Sequence, residues 1–318
     1  MIIANNKNLP FVLQVWLAAD NYDYQAGEKY ISATTLLKSP REIILTRRID
    51  TSNLTYDIED SIARTLGDSI HAGIENAWLN NLPQALKVLG QDKIAKLFTV
   101  NPSDKEDLTD KIPVYIEQRA TKELDGFTIG GKFDFVADGV LHDFKTTSVY
   151  TYIHGDRADD YIKQGSIYRW LNQDKITEDI IRICYIFTDW SKAEANRNPS
   201  YPQCRCVAQE YKLLSVKETE SLLKEKLSIL NRYWDKPDSE IPECTNDELW
   251  LSKTQYKYYS NPDNTRATKN FEVYGDAIAF QKSRGGKGIV VTVPGAPQHC
   301  NYCNAAPICQ QRKRLCKD

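Results

Sequence analysis

The sequence has no surplus of either charge, no long apolar run, no internal repeat and no low-complexity tract. Over its first 183 residues it also has no cysteine. Each absence narrows the reading. Lys and Arg number 41 against 43 Asp and Glu in 318 residues, so the chain as a whole is not a polycation and any basic surface must be local. "QKSRGGKG" at 281–288 and the closing "CQQRKRLCKD" are the local candidates. The longest early apolar run, "FVLQVWLAA" at 11–19, is shorter than the ~20 residues of a bilayer-spanning helix. It also lacks the basic leader and small-residue cleavage site of a secretory signal. The expectation is a cytoplasmic protein with no membrane partner, whose eight cysteines are reduced thiols or metal ligands before they are disulfides.

What is present has a definite order. Apolar residues recur at helical spacing over 56–79. Strand-like runs follow at 113–119, 127–136 and 140–147, then a helix over 157–172, strands at 180–188 and 204–213, and a helix over 216–234. Ser215 with Glu218 opens that last helix as a capping box. The succession predicts an α/β fold with a mixed central sheet flanked by helices. Polar loops at 100–111, 190–203 and 235–247 divide the chain. The division reads as an N-terminal segment packing on the core (1–55), a core (56–240) and a C-terminal segment (241–318).

"GGKFDFVADGVLHDFKTT" at 130–147 carries the first chemistry. Asp138-Gly139 is a two-residue hairpin signal, because a type I′ turn needs positive φ at both central positions. That register pairs Ala137 with Val140, Phe135 with His142 and Asp134 with Asp143. Directly opposed like charges destabilise a hairpin, whereas a hard divalent cation between two carboxylates reverses the sign. Lys145 projects from the same strand face as Asp143. Two acids and a lysine on one face suit metal-assisted phosphodiester chemistry. The alternative is a solvated outer face with Phe133, Phe135 and Phe144 turned to the core.

Two helices add to this. His71 and Glu75 share a face at a spacing of four, as do Gln164 and Tyr168. The order G-x-x-x-H (Gly67 to His71), G-x-x-D (Gly131 to Asp134), D-x-K (Asp143 to Lys145) and Q-x-x-x-Y (Gln164 to Tyr168) resembles the RecB-like branch of the PD-(D/E)XK nuclease superfamily, which includes CRISPR-associated and phage-encoded exonucleases. The resemblance covers roughly residues 30–310. It implies a PD-(D/E)XK core that hydrolyses DNA with Mg²⁺ or Mn²⁺, in the host cytoplasm if phage-encoded, alongside phage or host recombination or replication proteins. Position by position it implies His71, Asp134 and Asp143 as metal ligands, with the Phe144 carbonyl as a fourth. Lys145 would act on the attacking water and the scissile phosphate. Gln164 and Tyr168 would contact DNA and brace the site, and Glu117 would be a weaker, supporting candidate. A rival reading is a nuclease-fold module that binds DNA or protein without cutting.

The tail reads separately. "HCNYCNAAPIC" sets Cys300, Cys303 and Cys309 in C-x2-C-x5-C spacing, and soft metals and iron–sulfur clusters usually take four such ligands. RecB-like nucleases with an iron–sulfur cluster resemble this tail but supply the remaining cysteine upstream of the first helix, where this chain has Ser39 in "LLKSPR". The expected fourth ligand is therefore Cys244, with Cys316 as runner-up. The resemblance favours a [4Fe-4S] cluster over Zn²⁺. Cys184, Cys204 and Cys206 read as small strand residues.

Overall fold

Caps and short pairings shape the N-terminal third of the computed structural model, which describes residues 2–20, 23, 25, 27–155 and 157–316. β1 (Ile2–Ala4) leads to α1 (Phe11–Ala18), β2 (Tyr30–Ser32) and α2 (Ala33–Leu36), where Ser32 caps the helix by accepting from Thr35 N at 3.1 Å. Ser39 caps α3 (Pro40–Thr46) by accepting from Glu42 N at 3.1 Å, with Pro40 pre-organised in the first turn. β3 (Thr55–Asp57) pairs in parallel with β1. A 3₁₀ turn at Ile58–Ser61, capped by Asp57 through Glu59 N, then enters α4 (Ile62–Asn80). The helix expected from residue 56 thus begins at Ile62, because residues 55–57 find a strand partner more than fifty positions away. α5 (Leu82–Val88) and β4 (Phe98–Val100) follow.

Two Asp-Gly turns build the sheet. Asp125 and Gly126 lie at φ 47° and 80°, Asp138 and Gly139 at 49° and 76°, the left-handed pairs that match the twist of a hairpin. They link β5 (Ile112–Leu124), β6 (Phe127–Ala137) and β7 (Val140–Thr147). After α6 (Val149–His154) and α7 (Ala158–Leu171) come β8 (Ile180–Phe187), α8 (Lys192–Arg197) and β9 (Cys206–Lys212). The sheet runs β4-β5-β6-β7-β8-β9, with β2 paired in parallel to the first residues of β6. Parallel β4/β5 and β7/β8 pairs alternate with antiparallel β5/β6, β6/β7 and β8/β9 pairs, so this is a mixed α/β fold.

The strands of β7 and β8 separate the two faces. Val114, Ile116 and Phe135 are buried against Trp78 of α4, Phe98 and Phe144, each such side chain contributing about 1.5–3 kcal/mol when fully withdrawn from water. Leu141, Asp143 and Lys145 run in register with Ile181, Ile183 and Tyr185, on the side where Tyr161 of α7 meets Tyr185 at 6.2 Å. A Cβ on Gly131 would sit 2.8 Å from the Tyr168 ring, whereas one on Gly73 in α4 would meet nothing within 4 Å. Gly131→Ala is therefore expected to destabilise by about 1–3 kcal/mol, and Gly73→Ala to be neutral or to stabilise by up to about 1 kcal/mol. Thermal melts of the two variants check this.

The chain forms two compact units, Met1–Leu37 with Asp50–Ser228 and Lys38–Ile49 with Ile229–Asp318. The boundary falls inside α9 (Val216–Tyr233), which opens with the reciprocal Ser215–Glu218 cap, Ser215 N donating to Glu218 Oε2 at 2.8 Å and Glu218 N to Ser215 Oγ at 3.2 Å. Lys38–Ile49, grouped by sequence with the N-terminal segment, belongs to the second unit. The polar stretch after Leu251 also has regular structure. β10 (Gln255–Tyr259) is flanked by β11 (Lys269–Phe271) and β12 (Ile289–Val293), with α10 (Tyr274–Ser283) between them in sequence and α11 (Gln310–Leu315) closing the description. Rings of Tyr258, Phe271 and Phe280 supply the apolar contacts. Among the described residues, no helix is long and apolar enough to cross a membrane.

Candidate active site

The β6–β7 ladder holds Ala137–Val140, Val136–Leu141 and Phe135–His142 in register and goes no further. Asp134 and Asp143, expected as the next pair, are not laddered. Two opposed carboxylates repel across a hairpin, and β2 takes over the edge of β6 at Thr128–Gly130. In the opening between these pairings, the side chain of Asp134 replaces a backbone partner, its Oδ2 accepting from Phe144 N at 3.0 Å.

Two further ligand groups, from His71 and Glu117, converge there. His71, from α4, places Nδ1 3.6 Å from Asp134 Oδ2 and 4.0 Å from Glu117 Oε1. Its Nε2 donates to Phe144 O at 2.9 Å, which leaves the Nδ1 lone pair facing two acids. Ligand atoms of His71, Glu117 and Asp134 all lie within 4.8 Å of one another. The Phe144 carbonyl, expected as a metal ligand, accepts a hydrogen bond that orients His71. A carbonyl in that role fixes the tautomer of a metal-binding imidazole. Glu117 also pairs with Lys132.

Glu117 is more central than sequence reasoning made it. It lies at φ 52°, the left-handed region that a non-glycine residue enters at a cost. The β5–β6 register is the same on both sides of it, Ile116 with Phe135 and Gln118 with Phe133, which sets Glu117 opposite Asp134. The Asp125-Gly126 turn carried that register in the sequence.

The electrostatics are those of a site short of positive charge. Burial, then the nearby Asp143 charge, push the Asp134 carboxyl up to about 7. Asp143 is buried and its Oδ2 pairs with Lys145 Nζ at 2.6 Å. Burial pulls the Lys145 ammonium down, but Asp143 and Asp134 outweigh it and hold its pKa above the usual lysine value, so Lys145 is a cation. Gln164 and Tyr168 are buried, Gln164 Nε2 donating to Tyr168 Oη at 2.9 Å. Tyr168 packs on Gly131, three residues from Asp134, and in this arrangement the pair braces β6.

In the second unit, Cys244, Cys300, Cys303 and Cys309 line one cavity of about 20 Å³ together with Ser39, Arg41, Glu42 and His299. Ser39 Oγ is 3.3 Å from Cys244 Sγ. Arg41, buried, donates from Nε to Cys309 Sγ at 3.3 Å and from Nη1 to Ile241 O at 2.9 Å. Glu42 Oε2 meets His299 Nε2 at 2.7 Å. Burial pushes Glu42 up, but hydrogen bonds from Lys38 and His299 prevail and hold it below the usual carboxylate range. Burial and then the neighbouring thiols push Cys300 up to about 12; burial and then Glu42 push Cys303 up to about 11. Cys316 interacts with Cys300. The donors suit a soft metal. As it stands the cavity has room for about one water molecule. Cys184 lies in β8 and Cys206 in β9, in register with Ile186.

No protein-family model and no curated protein matches the chain. Solved structures that bear a likeness to it include the following two. One, of SSO0001, is 16% identical, covering 72% of this chain and 89% of its own, with a TM-score of 0.42. The other, a phage-related exonuclease from Haemophilus somnus 129PT, is 20% identical, covering 39% of this chain and 61% of its own, with a TM-score of 0.26. At these scores neither likeness adds weight to a functional reading, which rests on the site itself.

Proposed function

We propose that this protein is a PD-(D/E)XK-type, metal-dependent DNA nuclease of exonuclease character, of the phage-encoded kind that works in recombination, replication or DNA processing. The observation that carries the reading is the convergence of His71, Glu117 and Asp134 at the opening of the β6–β7 hairpin, with Asp143 and Lys145 following on β7. A structural hairpin gains nothing from two acids facing one imidazole, with a third, Asp143, on the next strand. Mg²⁺ or Mn²⁺ bound there would neutralise charge on the phosphodiester and supply an acidified water.

The residues divide the remaining work. His71, Glu117 and Asp134 would hold the ion, with Asp143, paired to Lys145, close enough on β7 to contribute. Phe144 positions the site from its backbone, its N–H holding Asp134 and its carbonyl holding His71. Lys145 meets the scissile phosphate as a cation, offsetting the charge that builds on its oxygens. Tyr168 and Gln164 keep β6 in place through Gly131. Cys244, Cys300, Cys303 and Cys309 would hold a thiolate metal centre that stabilises the second unit and takes no part in hydrolysis.

The test is digestion of end-labelled single- and double-stranded DNA, linear and circular, with Mn²⁺ and with EDTA. Cleavage with Mn²⁺ that EDTA abolishes, and that spares circles, is the expected result. Lys145→Ala should cut roughly 10²-fold more slowly while metal-dependent thermal stabilisation remains. DNA binding without cleavage would favour the non-cutting module instead.

A further inference from the structure

Next to the carboxylate site, within the first unit, lies a cavity of about 210 Å³ to which the function proposed above gives no role. Tyr152, Tyr161, Tyr185 and Tyr211 wall it, with Gln209 and Arg157 also facing it. Tyr185 is the hub. Its ring meets Tyr152 edge-on at 4.9 Å and Tyr161 at 6.2 Å, and its hydroxyl is 3.3 Å from that of Tyr211. Tyr161 is shared with the reacting centre, its ring centroid 5.9 Å from Lys145 Nζ. Whatever occupies the cavity therefore neighbours the group that meets the phosphate.

The lining selects the occupant. A volume below the ~300–1,000 Å³ of drug-sized pockets admits one ring system. Aromatic walls stack any nucleobase, and neutral donors and acceptors (phenol hydroxyls and the Gln209 amide) suit a base edge better than an anion. The cation among the described lining residues, Arg157, is exposed and makes a 3.8 Å ion pair with Asp160, the placement expected for contact with a backbone phosphate outside the cavity.

We propose that this cavity is a nucleoside subsite, taking one unstacked base of the strand whose phosphodiester lies at the Asp134–Lys145 site, with Arg157 on the adjoining phosphate. The proposal rests on the DNA-nuclease reading and deepens it. A base must leave its stack to enter, so single-stranded or frayed ends are the substrate.

Two arms test it. In EDTA, a single-stranded oligonucleotide carrying one 2-aminopurine is titrated with protein, and binding and quenching are read by fluorescence. Tyr211→Leu should weaken binding about tenfold, Tyr211→Phe should bind like the wild type because it keeps the ring, and Arg157→Ala should lower the salt dependence of binding. Melting curves confirm that each variant is folded. In the second arm, with Mn²⁺, an abasic residue is moved along the strand, and KM should rise at one position beside the cut. Cleavage with no abasic effect and unchanged binding by Tyr211→Leu overturns the subsite and leaves the nuclease standing. Ring-dependent binding without cleavage upholds the subsite and removes the nuclease. Absence of both overturns both.

Discussion

Asp134→Asn should abolish metal-dependent cleavage, by roughly 10³-fold or more, and at the same time raise the melting temperature of the metal-free protein near pH 8. Both effects have one cause. The Asp134 carboxyl rises from its ordinary 3.8 to about 7 in the fold, so the folded state holds a proton that the unfolded chain releases. Native protein then binds more protons than unfolded protein between those values, and stability falls as pH rises through that window. Above it the charge sits beside Asp143, and His71, Lys145 and the Phe144 N–H offset only part of the cost. Asparagine removes the charge and keeps the acceptor for Phe144 N–H, so the hairpin survives. The same reasoning makes stabilisation by Mg²⁺ or Mn²⁺ larger at pH 8 than at pH 5 in the wild type and nearly absent in the variant. End-labelled DNA digestion and thermal melts with and without metal measure this, and a variant that cuts like the wild type would remove Asp134 from the mechanism.

The second large effect is expected at the thiols. Serine at Cys300, Cys303 or Cys309 should strip the metal and lower soluble yield, because the energy of metal binding is folding energy where the ligands come from distant segments. Cys300 and Cys303 are pushed up to about 12 and about 11, so loading must displace their protons, and metal retention should weaken steadily as pH falls. Cys244→Ser should lose the metal as well. The double variant with Ser39→Cys should recover it, since Ser39 Oγ and Cys244 Sγ are 3.3 Å apart and address the same space. Anaerobically purified protein that is brown would identify an iron–sulfur cluster; colourless protein with one zinc would identify a zinc site. Cys-to-Ser variants that keep metal and yield would end the idea of a thiolate centre.

Part of this was written in short-range signals. The two Asp-Gly turns, the Ser215–Glu218 cap, the helical spacing in α7 and the alternation in β8 each depend on residues within a few positions, and each appears in the structure. The position of Glu117 opposite Asp134 was equally legible, because the Asp125-Gly126 turn fixes it. Its importance appears only with the fold, which brings His71 of α4 to the same opening.

The tertiary structure decided what those signals cannot. Asp134 leaves the ladder because β2, from another part of the chain, takes the edge of β6, and because the half-buried carboxylate finds the Phe144 N–H. Arg41 and Ser39 reach the cysteines across more than 200 positions. By itself the sequence determined turn register, helix caps and the spacing of thiols, since those energies are local. Which acids share one imidazole, and which thiols share one cavity, was left to long-range packing, where desolvation and charge act between groups that no periodicity connects.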